Sequence, residues 1–276
     1  MRLHRSTSVC GRALVALVAL VAGALLAQSP TGFAAVCSAR SGPQTTALVE
    51  LYTSEGCDSC PPADRWLASS FRPGATPGAA VALAFHVDYW DRLGWKDRFA
   101  SPGYTERQYD VTRTGNARFA YTPQVVLQGR DFPDWHGKDT LAAIAAINAR
   151  PARASVIVEA AVKDGAIDVH AVAAVAGAAD RRDAALFVAL TENSLASDVK
   201  AGENAGVRLT HDHVVRALRA GPAVGTGGAA EMSAALDLPA ERGSATTIVA
   251  FVQNTRTGEV LQAQALPLGA DCAPPR

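Results

Sequence analysis

The spacing of apolar residues changes near Pro151, and this change is the feature that most limits the folds open to the chain. Between Ala47 and Arg150, short apolar runs alternate with segments whose apolar residues recur every three or four positions. This alternation predicts the order β-α-β-α-β-β-α around a mainly parallel sheet. From Ala154 onward, apolar and polar residues alternate singly. We therefore expect an α/β domain followed by an all-β, sandwich-like domain.

Local signals place individual elements within this pattern. Ser101 followed by Pro102 is typical of a helix start, because serine caps the helix and proline suits its first position. Asp164-Gly165 and Thr257-Gly258 are turn signals between alternating runs of the second part.

The first 35 residues resemble an export signal. Arg2, Arg5 and Arg12 precede or open an apolar run from Ala13 to Ala27, which is shorter than the roughly 20 residues that a membrane span needs. We predict a cleaved signal peptide at 1–35, a secreted or periplasmic protein, and no membrane span in the mature chain. The remaining boundaries are predicted at 36–151, 152–268 and 269–276, for the α/β domain, the sandwich-like domain and a C-terminal tail.

The charge balance limits the kind of partner. Removal of residues 1–35 takes away three arginines and no acidic residue, which leaves 23 basic and 26 acidic residues. No basic stripe remains, so nucleic acid is not expected as a partner.

Cys57 and Cys60 stand two residues apart between a predicted strand and a predicted helix. Such a pair can be half of a zinc site, a structural clasp or a redox couple. The other mature cysteines lie near the chain ends, so a zinc site lacks further thiol ligands, and we predict no metal and no cofactor. Helix N-termini favour a thiolate. We therefore expect a solvent-exposed Cys57 as the nucleophile and Cys60 as the resolving thiol.

Cys37 and Cys272 are the remaining cysteines of the mature chain. In an oxidising compartment, an even number of cysteines suggests pairing. A structural disulfide between them would join the two ends and stabilise the fold by roughly 4–5 kcal/mol. The prediction requires that the two ends lie close together, which the sequence alone does not determine.

Four stretches of sequence carry a resemblance to a known family: "LYTSEGCDSCPPAD", "FHVDYWDRLGWKD", "RQY" and "YTPQVVLQG". Over about residues 46–266 the chain resembles a bacterial secreted thioredoxin-like family catalogued as domain of unknown function 1223. The resemblance implies an α/β thioredoxin-like first domain. It also implies that Thr122 and a cis Pro123 face the cysteine pair and bind an extended substrate.

The chain departs from the thioredoxin pattern around the pair. Gly56 replaces the tryptophan that usually precedes the first cysteine, so an aromatic wall is missing there. Pro61 and Pro62 shift the expected helix start, and Asp58 adds negative charge between the sulfurs. Glu50 resembles the buried acid that accepts a proton from the resolving cysteine. Its register is shifted by one residue, and a salt-bridged glutamate is the alternative.

The aromatic stretch from His86 to Phe99 follows the second predicted strand, at the end of the sheet where α/β proteins bind ligands. Asp88 and Trp90 are candidate substrate contacts, and packing of the aromatic residues on the core is the alternative. His86 would complete a copper site with the two cysteines if it lay near the sulfurs. His211 and His213 are expected on one strand face.

These observations favour an exported thiol–disulfide oxidoreductase that acts on a disulfide- or thiol-bearing protein or on small thiols. Two alternatives remain open. One is a non-catalytic binding module, in which the cysteines only clasp the loop and the sandwich-like domain engages a partner or a cell-envelope component. The other is a copper-binding chaperone. Separately, His211 and His213 are expected to form a polar patch or a contact with the first domain, in which Glu203 and Asn204 take part.

Overall fold

The computed structural model describes residues 36–72, 80–115, 117–137, 139–241, 243–269 and 272. The predicted signal peptide and most of the predicted C-terminal tail lie outside this part of the chain. Among the described residues, no helix is long and apolar enough to cross a membrane.

The first part of the chain follows the predicted order of strands and helices after one short additional strand. Its elements are β1 (Cys37–Arg40), β2 (Ala47–Thr53), α1 (Pro61–Ser70), β3 (Ala80–His86), α2 (Pro102–Thr114), β4 (Gln124–Leu127), β5 (Arg130–Asp131) and α3 (Thr140–Asn148). Ser101 is the N-cap of α2 and Pro102 is its first residue, as the sequence predicts.

The second part is almost entirely strand. Its elements are β6 (Ala154–Lys163), β7 (Ala166–Val175), α4 (Ala178–Arg181), β8 (Ala184–Asn193), β9 (Leu195–Asp198), β10 (Arg208–His211), β11 (Val214–Ala223), β12 (Ala229–Asp237), β13 (Ala245–Asn254) and β14 (Val260–Leu268). The Asp164-Gly165 turn joins β6 to β7, and both turn residues have positive φ angles of 50° and 82°.

The predicted fold class, a thioredoxin-like α/β domain followed by a separate β-sandwich, is wrong. One eight-stranded sheet has the order β14-β13-β8-β11-β3-β2-β4-β5, so strands from both sides of Pro151 share it. The fold is mostly β, with 45% of the described residues in strands and 18% in helices. Strand β11 pairs parallel with β3 through Val214 and Ala84. Apolar periodicity predicts where strands lie but not which strands pair, because pairing partners are distant in sequence.

A second sheet of four strands, in the order β1-β6-β7-β12, packs against the part of the large sheet that β8, β13 and β14 form. The core between them contains alternating residues such as Val156 and Val158 of β6, Leu186 and Leu190 of β8, and Ile248 of β13. This alternation is the feature that predicts facing sheets in the second part.

The other end of the large sheet has helices on it. Val49 and Leu51 of β2 pack in one cluster with Leu67 of α1 and Ile144 of α3. Tyr52 and Phe85 belong to a second cluster, which also contains Tyr104 of α2 and Phe251 of β13. Neighbouring residues of β2 therefore contact different layers, as strand geometry requires.

Strands β9 and β10 form a separate two-stranded hairpin. We call residues 195–211 the cover hairpin. It continues from the paired strands β8 and β11 through Ser194 and His213, whose φ angles are 59° and 58°. Two short hydrogen bonds hold this junction: His213 N–H donates to Asn193 Oδ1 at 2.7 Å, and Ser194 N–H donates to Asp212 Oδ1 at 2.7 Å.

The ends of the described chain are joined by the predicted Cys37–Cys272 disulfide, with a Cα–Cα distance of 5.4 Å. The two strands nearest these cysteines, β1 and β14, both contact β6. This proximity of the ends is the condition that the sequence left undetermined.

Candidate functional site

Cys57 and Cys60 form a disulfide at the junction of β2 and α1. Cys57 N–H donates to Ser54 O at 3.2 Å, and Cys60 is the N-cap of α1, which begins at Pro61. Both cysteines are 0% exposed, whereas Asp58 and Ser59 between them are exposed. The expectation of a solvent-exposed Cys57 is therefore wrong. A solvent-accessible turn lies over two buried sulfurs.

The loop of the cover hairpin closes over the cysteine motif. The side-chain amide of Asn204 donates to the backbone oxygens of Glu55 and Cys57, each at 2.9 Å. Asp58 N–H in turn donates to Glu203 Oε2 at 3.2 Å. The predicted contribution of Glu203 and Asn204 to contact between the two parts is confirmed. It explains why the sulfurs are inaccessible.

Trp90 supplies the aromatic wall that Gly56 lacks. A Cβ atom added to Gly56 would lie 3.1 Å from the Cβ of Trp90, so this glycine allows the tryptophan to approach the residue before Cys57. The indole Nε1–H of Trp90 donates to Thr122 Oγ1 at 2.8 Å. The Thr122–Pro123 peptide is cis, as predicted. The structure thus brings Trp90 and Thr122 together beside the cysteine motif, although substrate contact by either residue stays a prediction.

Asp88 is tied to α2. Its Oδ1 accepts a hydrogen bond of 2.6 Å from the Thr105 hydroxyl, and its backbone N–H donates to the same hydroxyl oxygen at 3.2 Å. These contacts fix the segment between β3 and α2, and a substrate contact by Asp88 stays a prediction.

Glu50 is held in a buried ion pair with Arg107. Its Oε2 lies 2.8 Å from Arg107 Nε and its Oε1 lies 3.0 Å from Arg107 Nη2, while the Tyr52 hydroxyl donates to Oε2 at 2.9 Å. Burial alone would lower the pKa of Arg107, but the carboxylate of Glu50 raises it. Both carboxylate oxygens are occupied in a buried ion pair. We therefore withdraw the assignment of Glu50 as a proton acceptor and adopt the salt-bridged alternative.

Beneath the cysteine motif lies a buried cluster of five titratable residues, which we call the acid–histidine cluster: Glu55, Asp64, His86, Asp97 and His211. His86 Nδ1 is 2.6 Å from Asp97 Oδ2, and the rings of His86 and His211 have centroids 4.8 Å apart. His211 Nε2 lies 3.3 Å from Glu55 Oε1. The cluster connects the cysteine loop, α1, β3 and the cover hairpin.

Within this cluster, His86 and Asp97 stabilise each other's charged forms. Burial alone would lower the pKa of His86, but attraction to Asp97 and their hydrogen bond raise it above its ordinary value. Burial would raise the pKa of Asp97, but the same pairing with His86 lowers it. Burial raises the pKa of Asp64. The pairing of His86 with Asp97 therefore favours the imidazolium–carboxylate form of this buried pair.

Sequence reasoning missed most of this cluster. It singled out His86 and His211, but it expected His211 and His213 on one strand face. That expectation is wrong, because β10 ends at His211 and His213 has a positive φ angle. Glu55 and Asp97 carry no local signal. The sequence distinguishes them only in that each lies in one of the stretches that resemble the family.

The geometry gives no support to the copper alternative. His86 directs Nδ1 at Asp97 and packs its ring against His211 and Phe99. Within the described ranges, no three His, Cys, Asp or Glu side chains are arranged to hold a metal ion.

The fold and the site define a class of protein: a mostly β protein that carries a buried Cys-x-x-Cys disulfide at a strand–helix junction beneath a hairpin. Residues 48–253 match the family described as protein of unknown function DUF1223, and the chain belongs to this family. The predicted membership of DUF1223 is thereby confirmed.

Two solved structures are similar to the chain. Protein AGR_C_4864 from Agrobacterium tumefaciens is 26% identical, covers 83% of this chain and 97% of its own, and has a TM-score of 0.55. HBP35 of Porphyromonas gingivalis is 13% identical, covers 82% of this chain and 76% of its own, and has a TM-score of 0.62. At that identity it shows likeness of fold alone. No curated protein matches the chain significantly.

Proposed function

We propose that the Cys57–Cys60 pair carries out thiol–disulfide exchange with a thiol-bearing protein or small thiol, and that the cover hairpin controls access to it. The proposal rests on the way in which the loop of the cover hairpin contacts the cysteine motif. The loop holds the cysteine motif by three hydrogen bonds of Glu203 and Asn204 to the backbone. Each such bond contributes about 1 kcal/mol, so opening the loop is energetically within reach of thermal motion or of a partner.

Once the loop has moved, the exchange takes place in two steps. A substrate thiolate attacks the sulfur of Cys57, the S–S bond breaks, and Cys60 leaves as a thiolate that takes up a proton. A second substrate thiolate then attacks the substrate sulfur of the mixed disulfide and releases Cys57. The pair is reduced to two thiols and the substrate is oxidised to a disulfide. Reduction of a substrate is the same sequence in reverse.

The surroundings of the pair suit an incoming polypeptide. Asp58 and Ser59 are exposed, and Trp90 and Thr122 stand beside the motif with partial exposure. A partly exposed indole is the kind of surface on which a polypeptide binds. This similarity to thioredoxins is proposed for the site alone, not for the architecture. Export is part of the same proposal, since two disulfides persist best in an oxidising compartment.

A second function is favoured by one observation, the complete burial of both sulfurs. In this alternative the disulfide only clasps the loop, and the protein is a non-catalytic binding module of the cell envelope. Buried disulfides resist reduction because no thiolate reaches them. The two functions make different predictions for a variant with a weakened cover.

The test is the rate at which dithiothreitol reduces Cys57–Cys60 in the native protein, in the wild type and in Asn204→Ala. Loss of two hydrogen bonds, at about 1 kcal/mol each, should increase the opened population and raise the rate by about thirtyfold. Asn254→Ala is the matched control, because Asn254 also donates to a backbone oxygen, that of Arg182, in a turn outside the cover. The control should react at the wild-type rate. Mass spectrometry after alkylation identifies which cysteines have reacted.

Activity is measured by insulin reduction with the pre-reduced protein, with Cys57→Ser as the inactive reference. Reduction by Asn204→Ala above the wild-type level supports controlled exchange. If Asn204→Ala reacts no faster than the wild type while circular dichroism shows a native fold, the disulfide is a clasp and the binding-module alternative holds.

A further inference from the structure

A groove of about 390 Å³ lies between the start of α2 and strand β11, outside the cysteine site. The side chains that matter for its chemistry are Arg98, Phe99, Ser101, Tyr104, Arg216 and Arg219. Arg98 and Phe99 come from the segment before α2, and the arginines at 216 and 219 come from β11. No residue of this groove belongs to the function proposed above.

Two guanidinium groups share one aromatic ring in this groove. The Cζ of Arg98 lies 4.6 Å from the centroid of Phe99, and the Cζ of Arg216 lies 5.3 Å from it. Arg219 is exposed, and its guanidinium donates to the backbone oxygen of Leu218 at 3.3 Å. Burial raises the pKa of Tyr104 to about 12, although the charges of Arg216 and Arg219 oppose the rise. All three positive groups therefore border one small volume.

The three arginines differ in the carboxylates that pair with them. Arg216 is paired with Glu192, which is fully buried, so that pair is a permanent part of the core. Arg98 is paired with Glu241, which is 75% exposed. An exposed pair of this kind contributes little free energy and yields to a competing anion. The contact that the described residues make with the Arg219 guanidinium is the backbone oxygen of Leu218, and the first turn of α2 contains no acidic residue.

We propose that this groove binds a small oxyanion, a phosphate or carboxylate group, held by Arg98 and Arg219 with Arg216 behind it. The anion takes the place that the carboxylate of Glu241 occupies on Arg98. Guanidinium groups suit such a ligand because their planar donors match two oxygens at once. Ser101, the N-cap of α2, also lines the groove and makes no side-chain capping hydrogen bond, so its hydroxyl offers one further donor.

The inference is tested by isothermal titration of the intact oxidised protein with inorganic phosphate, and separately with citrate, at low and high salt. Arg219→Glu should weaken binding by about tenfold, because it replaces an attractive charge by a repulsive one. Glu241→Gln should tighten binding by about threefold, because it removes the competing carboxylate. Arg113→Glu is the matched control: it makes the same charge change at an exposed arginine outside the groove.

Comparison of these three variants distinguishes a specific site from nonspecific attraction of anions. Opposite effects of Arg219→Glu and Glu241→Gln, with Arg113→Glu close to the wild type, support the site. Phosphate and citrate are compared to establish which oxyanion is preferred. Absence of saturable binding of either anion, or equal weakening by Arg113→Glu and Arg219→Glu, would overturn the proposal, since the second result means nonspecific attraction.

Discussion

At the scale of single residues, Glu50 shows how a buried charge is made tolerable. Its carboxylate is fully buried and contacts Arg107 and the Tyr52 hydroxyl. The guanidinium of Arg107 in turn lies near three aromatic rings, with its Cζ 5.4 Å, 5.6 Å and 5.3 Å from the centroids of Phe85, Phe187 and Phe251. Removal of one partner from such a pair leaves a buried charge without compensation.

Glu50→Gln should lower the free energy of unfolding by about 3 kcal/mol, because Arg107 then remains charged and buried without its carboxylate. Urea denaturation followed by tryptophan fluorescence measures the change. Glu259→Gln is the control, since Glu259 pairs with Arg153 at a partly exposed position and should change stability by less than about 1 kcal/mol. A normal stability of Glu50→Gln together with slower disulfide exchange would restore the proton-accepting role.

The site residues that the sequence identified lie in local motifs, whereas those that it missed make contacts between distant segments. Cys57, Cys60, Thr122 and Trp90 stand in recognisable motifs, and the structure places them together. Asn204 closes the site from 147 positions away from Cys57. A contact across that distance in the chain leaves no periodic pattern, so local reasoning indicated only that this segment touches the first part.

At the scale of elements, turns decide how strands meet, and two glycines illustrate it. Gly129 lies between β4 and β5 with a φ angle of 78°, and a Cβ atom there would meet Gly258 O at 1.8 Å. Gly165 lies between β6 and β7 with a φ angle of 82°, and nothing lies within 4 Å of its added Cβ. Both positions have a left-handed backbone that would strain any other residue, and they differ in the space available for a side chain.

Gly129→Ala should therefore cost more than about 3 kcal/mol of stability, because the β4–β5 turn must move away from the turn that precedes β14. Gly165→Ala should cost only about 1 kcal/mol, the price of a left-handed conformation for alanine. Thermal and urea denaturation of both variants measure the difference. Equal losses at the two sites would mean that the close approach of Gly129 and Gly258 does not hold in solution.

At the scale of the whole molecule, the acid–histidine cluster makes stability depend on pH. The pKa of His86 is raised, so its contribution is fully present below pH 6.5, the ordinary pKa of histidine, and is lost as pH rises through the folded-state value. The pKa of Asp97 is lowered, so its contribution is present above its ordinary value near pH 4 and is lost as pH falls through the folded-state value.

The stabilisation lost in His86→Gln should consequently be greatest between about pH 4 and pH 6.5, where it should reach roughly 3 kcal/mol, and should shrink on either side. Subtracting the variant's unfolding free energy from that of the wild type at each pH removes the contribution of His213, whose pKa burial lowers. His170→Gln is the control, since His170 pairs with Glu231 at the surface and should contribute less than about 1 kcal/mol. A difference that grows above pH 7 would contradict the pairing.

The cysteine motif, the family, the order of strands and helices between Ala47 and Arg150 and most of the strands after Ala154 follow from the sequence alone, because each is encoded in neighbouring residues or in matching motifs. The folded chain is needed to bring Cys37 to Cys272, to join β11 to β3 in one large sheet, to pair Glu50 with Arg107 and to place the cover hairpin against the cysteine motif. These outcomes depend on contacts between distant segments. Such contacts are selected by the total burial and pairing of the folded chain, which no local pattern contains.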